Sequence, residues 1–200
     1  MSNNNKTKTD ELTEIRDLME RSSICISLSG LGGIFAGICV LAGVAAGSLL
    51  SPGLTGDTLA LLGWGGGIFL SSLLCIICFS YRRSKAMKTK LWNSPTRRLV
   101  VHLAVPFTAG AWIVLKLLLL GLFDLVPATS LIVYGIAVFS AGHYSPGESR
   151  RLAYGEMLLG AVALVFPTLG WLCWVVGFGI LHILFGGIMW NKHERKEGNR

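Results

Sequence analysis

The sequence predicts an all-α membrane protein: a polytopic bundle of six transmembrane helices with both termini in the cytoplasm. Of its 200 residues, 52% are apolar and only 14% are charged, a composition too apolar for a soluble domain of this length. Six apolar segments are each about long enough to cross a hydrocarbon core of roughly 30 Å. The Lys and Arg residues lie almost entirely in alternate connections between these segments, which predicts the side of each connection.

The basic residues determine the predicted orientation. Of the 18 Lys and Arg residues, 17 lie in the loop 81–98, in residues 143–151 or in the two termini, and the exception is Lys116. Cytoplasmic connections of membrane proteins carry such an excess, which favours six spans and cytoplasmic termini. Topology therefore accounts for the charge of the loop, and we expect it to contact anionic lipid headgroups rather than nucleic acid. The expected contact residues are Arg82, Arg83, Lys85, Lys88, Lys90, Arg97 and Arg98.

The chain divides into three parts. Residues 1–23 are predicted to form a polar tail and a short amphipathic cytoplasmic helix, with apolar residues at helical spacing between about 10 and 21. This helix either lies at the headgroups or docks a partner protein. The transmembrane domain is 24–190, and 191–200 form a polar cytoplasmic tail. The predicted spans are about 24–50, 58–81, 99–123, 125–142, 152–166 and 169–190.

Small residues recur at four-residue spacing in the first two spans. This spacing lets helix backbones approach closely in lipid, where hydrophobicity does not drive helix association. It predicts a tight hairpin of spans 1 and 2, with a homodimer through span 1 as the alternative. The expected packing residues are Gly33, Gly37, Gly43, Gly47, Gly63 and Gly67.

Three ionisable residues are predicted at similar depth in the inner third of the membrane: His102 in span 3, Glu156 in span 5 and His182 in span 6. Such residues are costly in a bilayer and are the first candidates for function. Glu156 and either histidine would form a proton-handling pair. The alternative is that each only fixes helix packing. A pocket open to the cytoplasm would be lined by these three with Ser29, Ser140 and Tyr154.

Lys116 lies in the outer part of span 3, within AWIVLKLLLLGLF. Its ammonium group would extend outward to water, helped by Asp124 or Asp57, or it would face inward and line an anion path.

No motif for a cofactor or a metal is present. The five cysteines all lie in apolar segments, where free thiols are expected. Cys75 and Cys78 have the spacing of a redox or metal pair, but no further ligands lie in register.

One motif is similar to a catalytic one. SLSGLGG at 27–33, taken with His182 four residues before Gly186, resembles the serine motif and the histidine helix of rhomboid intramembrane proteases. The resemblance implies Ser29 as nucleophile with His182 as its base. The chain departs from that family because Ser27 replaces the first glycine of the motif and because Ser29 lies on the first span near the cytoplasm.

Two longer runs carry a second resemblance, ELTEIRDLMERSSICISLSGLGGIFAGI at 11–38 and GFGILHILFGGIMW at 177–190. They resemble a family of small six-span integral membrane proteins of Bacteroidota. The resemblance implies a bacterial inner membrane, and it implies no particular activity and no site residues.

Two classes of function follow from these observations. The first is a non-enzymatic membrane module, sensory, regulatory or accessory, that acts through its N-terminal helix and basic loop. The second is a small-solute or proton-linked transporter that uses the polar pocket. An intramembrane serine hydrolase at Ser29 is the third alternative.

Overall fold

A computed structural model describes residues 29–50, 57–88, 92, 94–142 and 147–194. Within these ranges the chain is all-helical, which confirms the all-α part of the prediction. Four helices are long and apolar enough to cross a membrane, and Leu125–Ala141 is a shorter apolar helix. These helices are compatible with a membrane protein. The predicted N-terminal helix, Lys90 and the end of the C-terminal tail lie outside the described residues.

Five α-helices precede a composite C-terminal helix. They are α1 (Gly30–Leu50), α2 (Thr58–Ala86), α3 (Ser94–Leu119), α4 (Leu125–Ala141) and α5 (Glu148–Val165). The C-terminal helix, residues 167–194, comprises a 3-10 turn (Pro167–Leu169), α6 (Gly170–Val175), a π turn (Val176–Leu181), α7 (His182–Met189) and a second π turn (Trp190–Glu194).

Local sequence explains where α2 begins and ends and where α3 ends. Asp57 caps α2, since its side chain accepts a hydrogen bond from the Leu59 N–H at 3.0 Å. Arg83 and Lys85 lie in the last turn of α2, where positive charge complements the helix dipole. After α3 the chain turns at Gly121, whose φ of 71° is the left-handed conformation that glycine adopts readily.

The fifth helix differs from the others in charge. Four of the 18 residues of α5 are charged, and all lie in its first half. This composition keeps α5 out of the group of apolar helices of membrane length. Glu156 lies close to the midpoint of α5.

The helices pack as neighbours in the order α2, α1, C-terminal helix, α5, α4, α3. Between the two ends of this series, the Thr58 hydroxyl donates to the Leu118 carbonyl at 3.0 Å. The rings of Phe69 and Phe107 also approach, with centroids 6.3 Å apart. The C-terminal helix therefore lies between α1 and the α4–α5 pair.

Glycines of α1 allow its closest contacts, and Gly33 and Gly37 face the C-terminal helix, whereas the sequence predicts that they face α2. A Cβ added to Gly37 would lie 2.6 Å from the Gly179 carbonyl oxygen, and one added to Gly33 would lie 3.4 Å from the Gly186 Cα. Both therefore pack on the C-terminal helix and not within the predicted hairpin. Gly43 does face α2, where an added Cβ would meet Ile68 at 2.5 Å.

Candidate functional site

The structure brings two of the predicted ionisable residues together inside the bundle. Glu156 on α5 is completely buried, and His182 on the C-terminal helix is 7% exposed. Their closest atoms, Glu156 Oε1 and His182 Nδ1, are 3.4 Å apart. Neither carboxyl oxygen of Glu156 accepts a hydrogen bond from the described residues. The imidazole of His182 is the ionisable group that contacts this carboxyl group.

Two further contacts define the protonation of the His182 ring. Nδ1 lies 3.1 Å from the Gly177 carbonyl oxygen, and because a carbonyl only accepts, Nδ1 must carry a hydrogen. Nε2 lies 2.6 Å from the Tyr134 hydroxyl oxygen on α4. In the neutral ring the hydroxyl donates to Nε2. In the doubly protonated ring Nε2 donates to the hydroxyl oxygen.

The π turn shapes the space for the carboxyl group. Gly177 lies in this turn, and a Cβ added to it would lie 2.5 Å from Glu156 Oε2 and 2.6 Å from Leu131 Cδ2. Only a residue without a side chain fits at 177 while Glu156 keeps its position. Single π turns within α-helices are frequent at functional sites. Here the turn contains Gly177, which leaves space for the Glu156 carboxyl group and accepts a hydrogen bond from His182 through its carbonyl.

Aromatic rings surround the polar contacts. The Phe178 ring packs on Tyr134 with centroids 5.0 Å apart and on His182 at 5.9 Å. On the other side of Tyr134, Phe107 of α3 lies at 5.8 Å. Tyr134 itself is half-buried, so exposure increases from Glu156 through His182 to Tyr134.

This arrangement is an acid, an imidazole and a hydroxyl in series, which we call the Glu156–His182–Tyr134 relay. An isolated carboxylate would be costly in these surroundings. The relay avoids that cost in two ways: as a neutral acid beside a neutral ring, or as a carboxylate beside an imidazolium. The two forms have the same net charge, and they differ in whether the second proton is carried by the Glu156 carboxyl group or by His182 Nε2. The gain or loss of one proton changes the charge of the whole unit.

The remaining members of the predicted pocket lie elsewhere. His102 is exposed on α3, where its Nδ1 lies 3.3 Å from the Ser140 hydroxyl. Ser140 is six residues after Tyr134 on α4, about 9 Å along the helix axis. Tyr154 is 58% exposed and packs on Phe139.

Ser29 is buried at the beginning of α1, and its backbone N–H donates to the Ser80 hydroxyl at 3.4 Å. The ring nitrogens of His182 contact Tyr134, Gly177 and Glu156, and none of their contacts is with Ser29. The six residues of the predicted pocket therefore do not lie together. Glu156 and His182 belong to the relay, His102 and Ser140 contact each other, and Ser29 and Tyr154 belong to neither group.

The predicted outer charges are both exposed. Lys116 lies on the surface of α3, and none of the ion pairs between described residues includes it. Asp124 precedes α4 without capping it through its side chain. Its carboxyl group borders a shallow cavity with Pro167 and Trp171.

The other predicted positions differ in their surroundings. Gly47 is buried, whereas a Cβ added to Gly63 or Gly67 would meet nothing within 4 Å. The close contacts expected of Gly63 and Gly67 are therefore not seen within the described part of the chain. Of the basic residues at the end of α2 and the beginning of α3, Arg82, Lys85, Lys88, Arg97 and Arg98 are exposed.

Sequence reasoning missed Tyr134 and the role of Gly177. Tyr134 lies in LIVYGIAVF, near the middle of α4, whereas tyrosines of membrane helices concentrate at the two interfaces. A mid-span hydroxyl needs a partner when it is buried, and that is the signal that indicates Tyr134. The π turn leaves no comparable trace in the sequence.

A search for metal ligands and comparison with known proteins assign no further role to any residue. Among the described residues, no three His, Cys, Asp or Glu side chains converge as a metal site. Comparison of the chain with protein-family models, curated proteins and solved structures finds no match.

Proposed function

We propose that the chain is a six-span integral protein of a bacterial inner membrane, with both termini in the cytoplasm, and that it is a non-enzymatic regulatory module controlled by a proton. The relay of Glu156, His182 and Tyr134 is the proton-binding element. The observation that carries the proposal is a fully buried carboxyl group whose closest polar partner is an imidazole, itself bound to a tyrosine hydroxyl. Four helices of membrane length and the distribution of basic residues support the location and topology.

Proton binding would act on the packing of the C-terminal helix. His182 directly follows the π turn and lies one turn before Gly186, which packs against α1. Beyond it, Lys192 forms an ion pair with Glu148 at the beginning of α5. A change in the charge of His182 would therefore act on the C-terminal helix, which packs between α1 and α5. The exposed basic residues at the end of α2 and the beginning of α3 would transmit the change to anionic headgroups or to a partner protein.

Histidine NMR tests the relay directly. In protein labelled with nitrogen-15 at histidine and reconstituted in lipid, we expect His182 to carry a hydrogen at Nδ1. Glu156→Gln and Tyr134→Phe should each change the pH dependence of the His182 resonances. His102→Asn is the matched control, because His102 lies outside the relay and its removal should leave His182 unchanged.

Two results would overturn the proposal. One is a His182 resonance that is identical in the wild type and in Glu156→Gln over the whole pH range. The other is a His182 protonated only at Nε2, because that form cannot donate to the Gly177 carbonyl.

A proton-linked transporter is the second candidate, favoured by the position of the π turn. Transporter binding sites are commonly built where a membrane helix is interrupted near its middle and presents free backbone groups to polar side chains. Here the C-terminal helix changes its winding beside Glu156, and the Gly177 carbonyl binds His182.

Proton flux separates the two candidates. Proteoliposomes containing a pH-sensitive dye are given a potassium diffusion potential, and proton entry is compared with that into empty vesicles. Faster entry that is lost in Glu156→Gln and kept in His102→Asn would support transport. Entry no faster than into empty vesicles, with the His182 titration intact, would support the regulatory module.

A further inference from the structure

Two cysteines face each other across the α1–α2 interface. Cys39 Sγ and Cys75 Sγ are 3.7 Å apart, and both residues are free and half-buried. Cys78 lies three residues further along α2 and is exposed, while Cys173 is buried in another part of the bundle. The proximity of Cys39 and Cys75 is a property of the fold, since 36 positions separate them in the sequence.

The two helices that carry this pair pack closely on the side of Cys75. A Cβ added to Gly32 would lie 3.1 Å from the Ile76 Cα, next to Cys75. One turn away, the Ser72 hydroxyl donates to the Ala36 carbonyl at 3.3 Å. A disulfide needs sulfur atoms about 2.05 Å apart. The sulfurs therefore have to approach by less than about 2 Å to form the bond.

We propose that Cys39 and Cys75 form an oxidisable dithiol, a reversible modification site that closes to a disulfide between α1 and α2. The oxidant would be a lipid-soluble two-electron acceptor of the quinone class. Both S–H bonds break and one S–S bond forms. The two electrons and two protons released convert the quinone to its hydroquinone, so the reaction balances.

The chemistry of the surroundings favours a disulfide over a thiolate–metal complex. The pair lies in apolar helices, where a charged product is costly, and a disulfide is uncharged. No third ligand joins the two thiols among the described residues. The partial exposure of both residues leaves access from the lipid side. This inference rests on the proposed membrane location and not on the proton relay, since none of its residues belongs to the relay.

The experiment uses the full-length protein in liposomes that contain a short-chain quinone. Free thiols are then counted by the gel shift of a polyethylene-glycol maleimide, and linked peptides are identified by mass spectrometry. We expect the wild type to lose two reactive thiols per chain and to give a peptide joining Cys39 to Cys75. Dithiothreitol should restore both thiols, and dilution of the protein in the lipid should not change the yield.

Two variants serve as controls. Cys78→Ser keeps the pair and should behave like the wild type. Cys75→Ser leaves Cys39 with Cys78 as its nearest candidate on α2, and it should keep its thiols under the same conditions. Retention of all thiols by the oxidised wild type would refute the proposal, as would a linked peptide that joins Cys78, or two copies of the chain, in place of Cys39 and Cys75.

Discussion

Two histidines of this protein bind hydroxyl groups of the same helix, and their surroundings are otherwise opposite. His182 Nε2 lies 2.6 Å from Tyr134, and its other nitrogen faces a buried carboxyl group and a backbone carbonyl. His102 Nδ1 lies 3.3 Å from Ser140 and is exposed. Both hydroxyls belong to α4, so the partner type does not distinguish the two sites.

The difference lies in burial and in the second partner. An exposed imidazole can exchange its partner or its proton at little cost to the fold. At His182 both ring nitrogens have buried or half-buried partners, and aromatic rings pack against the site. A histidine near a hydroxyl is thus insufficient to define a site, and a histidine between an acid and a hydroxyl in a buried place is a candidate for one.

The largest expected effect comes from removing one member of the buried pair. His182→Leu leaves Glu156 without its imidazole, and breaking a buried pair in this way costs about 3–5 kcal/mol. His102→Leu should change stability by no more than about 0.5 kcal/mol. Unfolding in mixed micelles with increasing dodecyl sulfate measures both values.

The double variant Glu156→Leu/His182→Leu tests the cause of that loss. If an unmatched carboxyl group is responsible, the double variant should be more stable than His182→Leu alone. Equal or lower stability of the double variant would assign the loss to lost packing, and the contrast between the two histidines would then be one of burial only.

A second test concerns the glycine that makes room for the acid. Gly177→Ala introduces a Cβ 2.5 Å from Glu156 Oε2, and overpacking of this kind costs about 1–3 kcal/mol. Gly187→Ala is the matched control on the same helix, because a Cβ there meets nothing within 4 Å. The same micelle titration compares the two, and equal stability of both variants would mean that the π turn does not hold Glu156.

A smaller effect is expected from the hydroxyl of the relay. Tyr134→Phe removes the hydrogen bond to His182 Nε2, worth about 0.5–1.5 kcal/mol. Tyr154→Phe serves as its control, since Tyr154 is largely exposed and its ring contact with Phe139 is kept. Unfolding of the two variants side by side decides the matter, and a loss in Tyr154→Phe as large as that in Tyr134→Phe would contradict a special role for Tyr134.

The sequence predicted the helices more successfully than their faces. Apolar runs are local features of the sequence, and they predicted the all-helical fold of the described residues. Which side of a helix faces inward depends on its neighbours. Gly37 thus faces the C-terminal helix and not α2, and His102 is exposed although its sequence context resembles that of His182.

The position of the relay shows a second limit of sequence reasoning. The predicted fifth span begins near residue 152, and α5 begins about one turn earlier, at Glu148, so Glu156 lies about two turns into the helix. The π turn adds to the difference, because one extra residue per turn rotates everything after it by about 100° relative to a regular α-helix. The direction of His182 was therefore not readable from periodicity, even though its residue type marked it as a candidate.

The smallest effect is expected at the exposed histidine, His102. Ser140→Ala removes the hydroxyl that His102 contacts at 3.3 Å. Since the imidazole is exposed and can rotate to another partner, stability should change by no more than about 0.5 kcal/mol, and the His182 resonances should stay at their wild-type positions. A change in the His182 titration on removal of the Ser140 hydroxyl would show that α4 couples the two histidines through Tyr134. The relay would then extend along α4 to the surface of α3, and His102 would be its outer member.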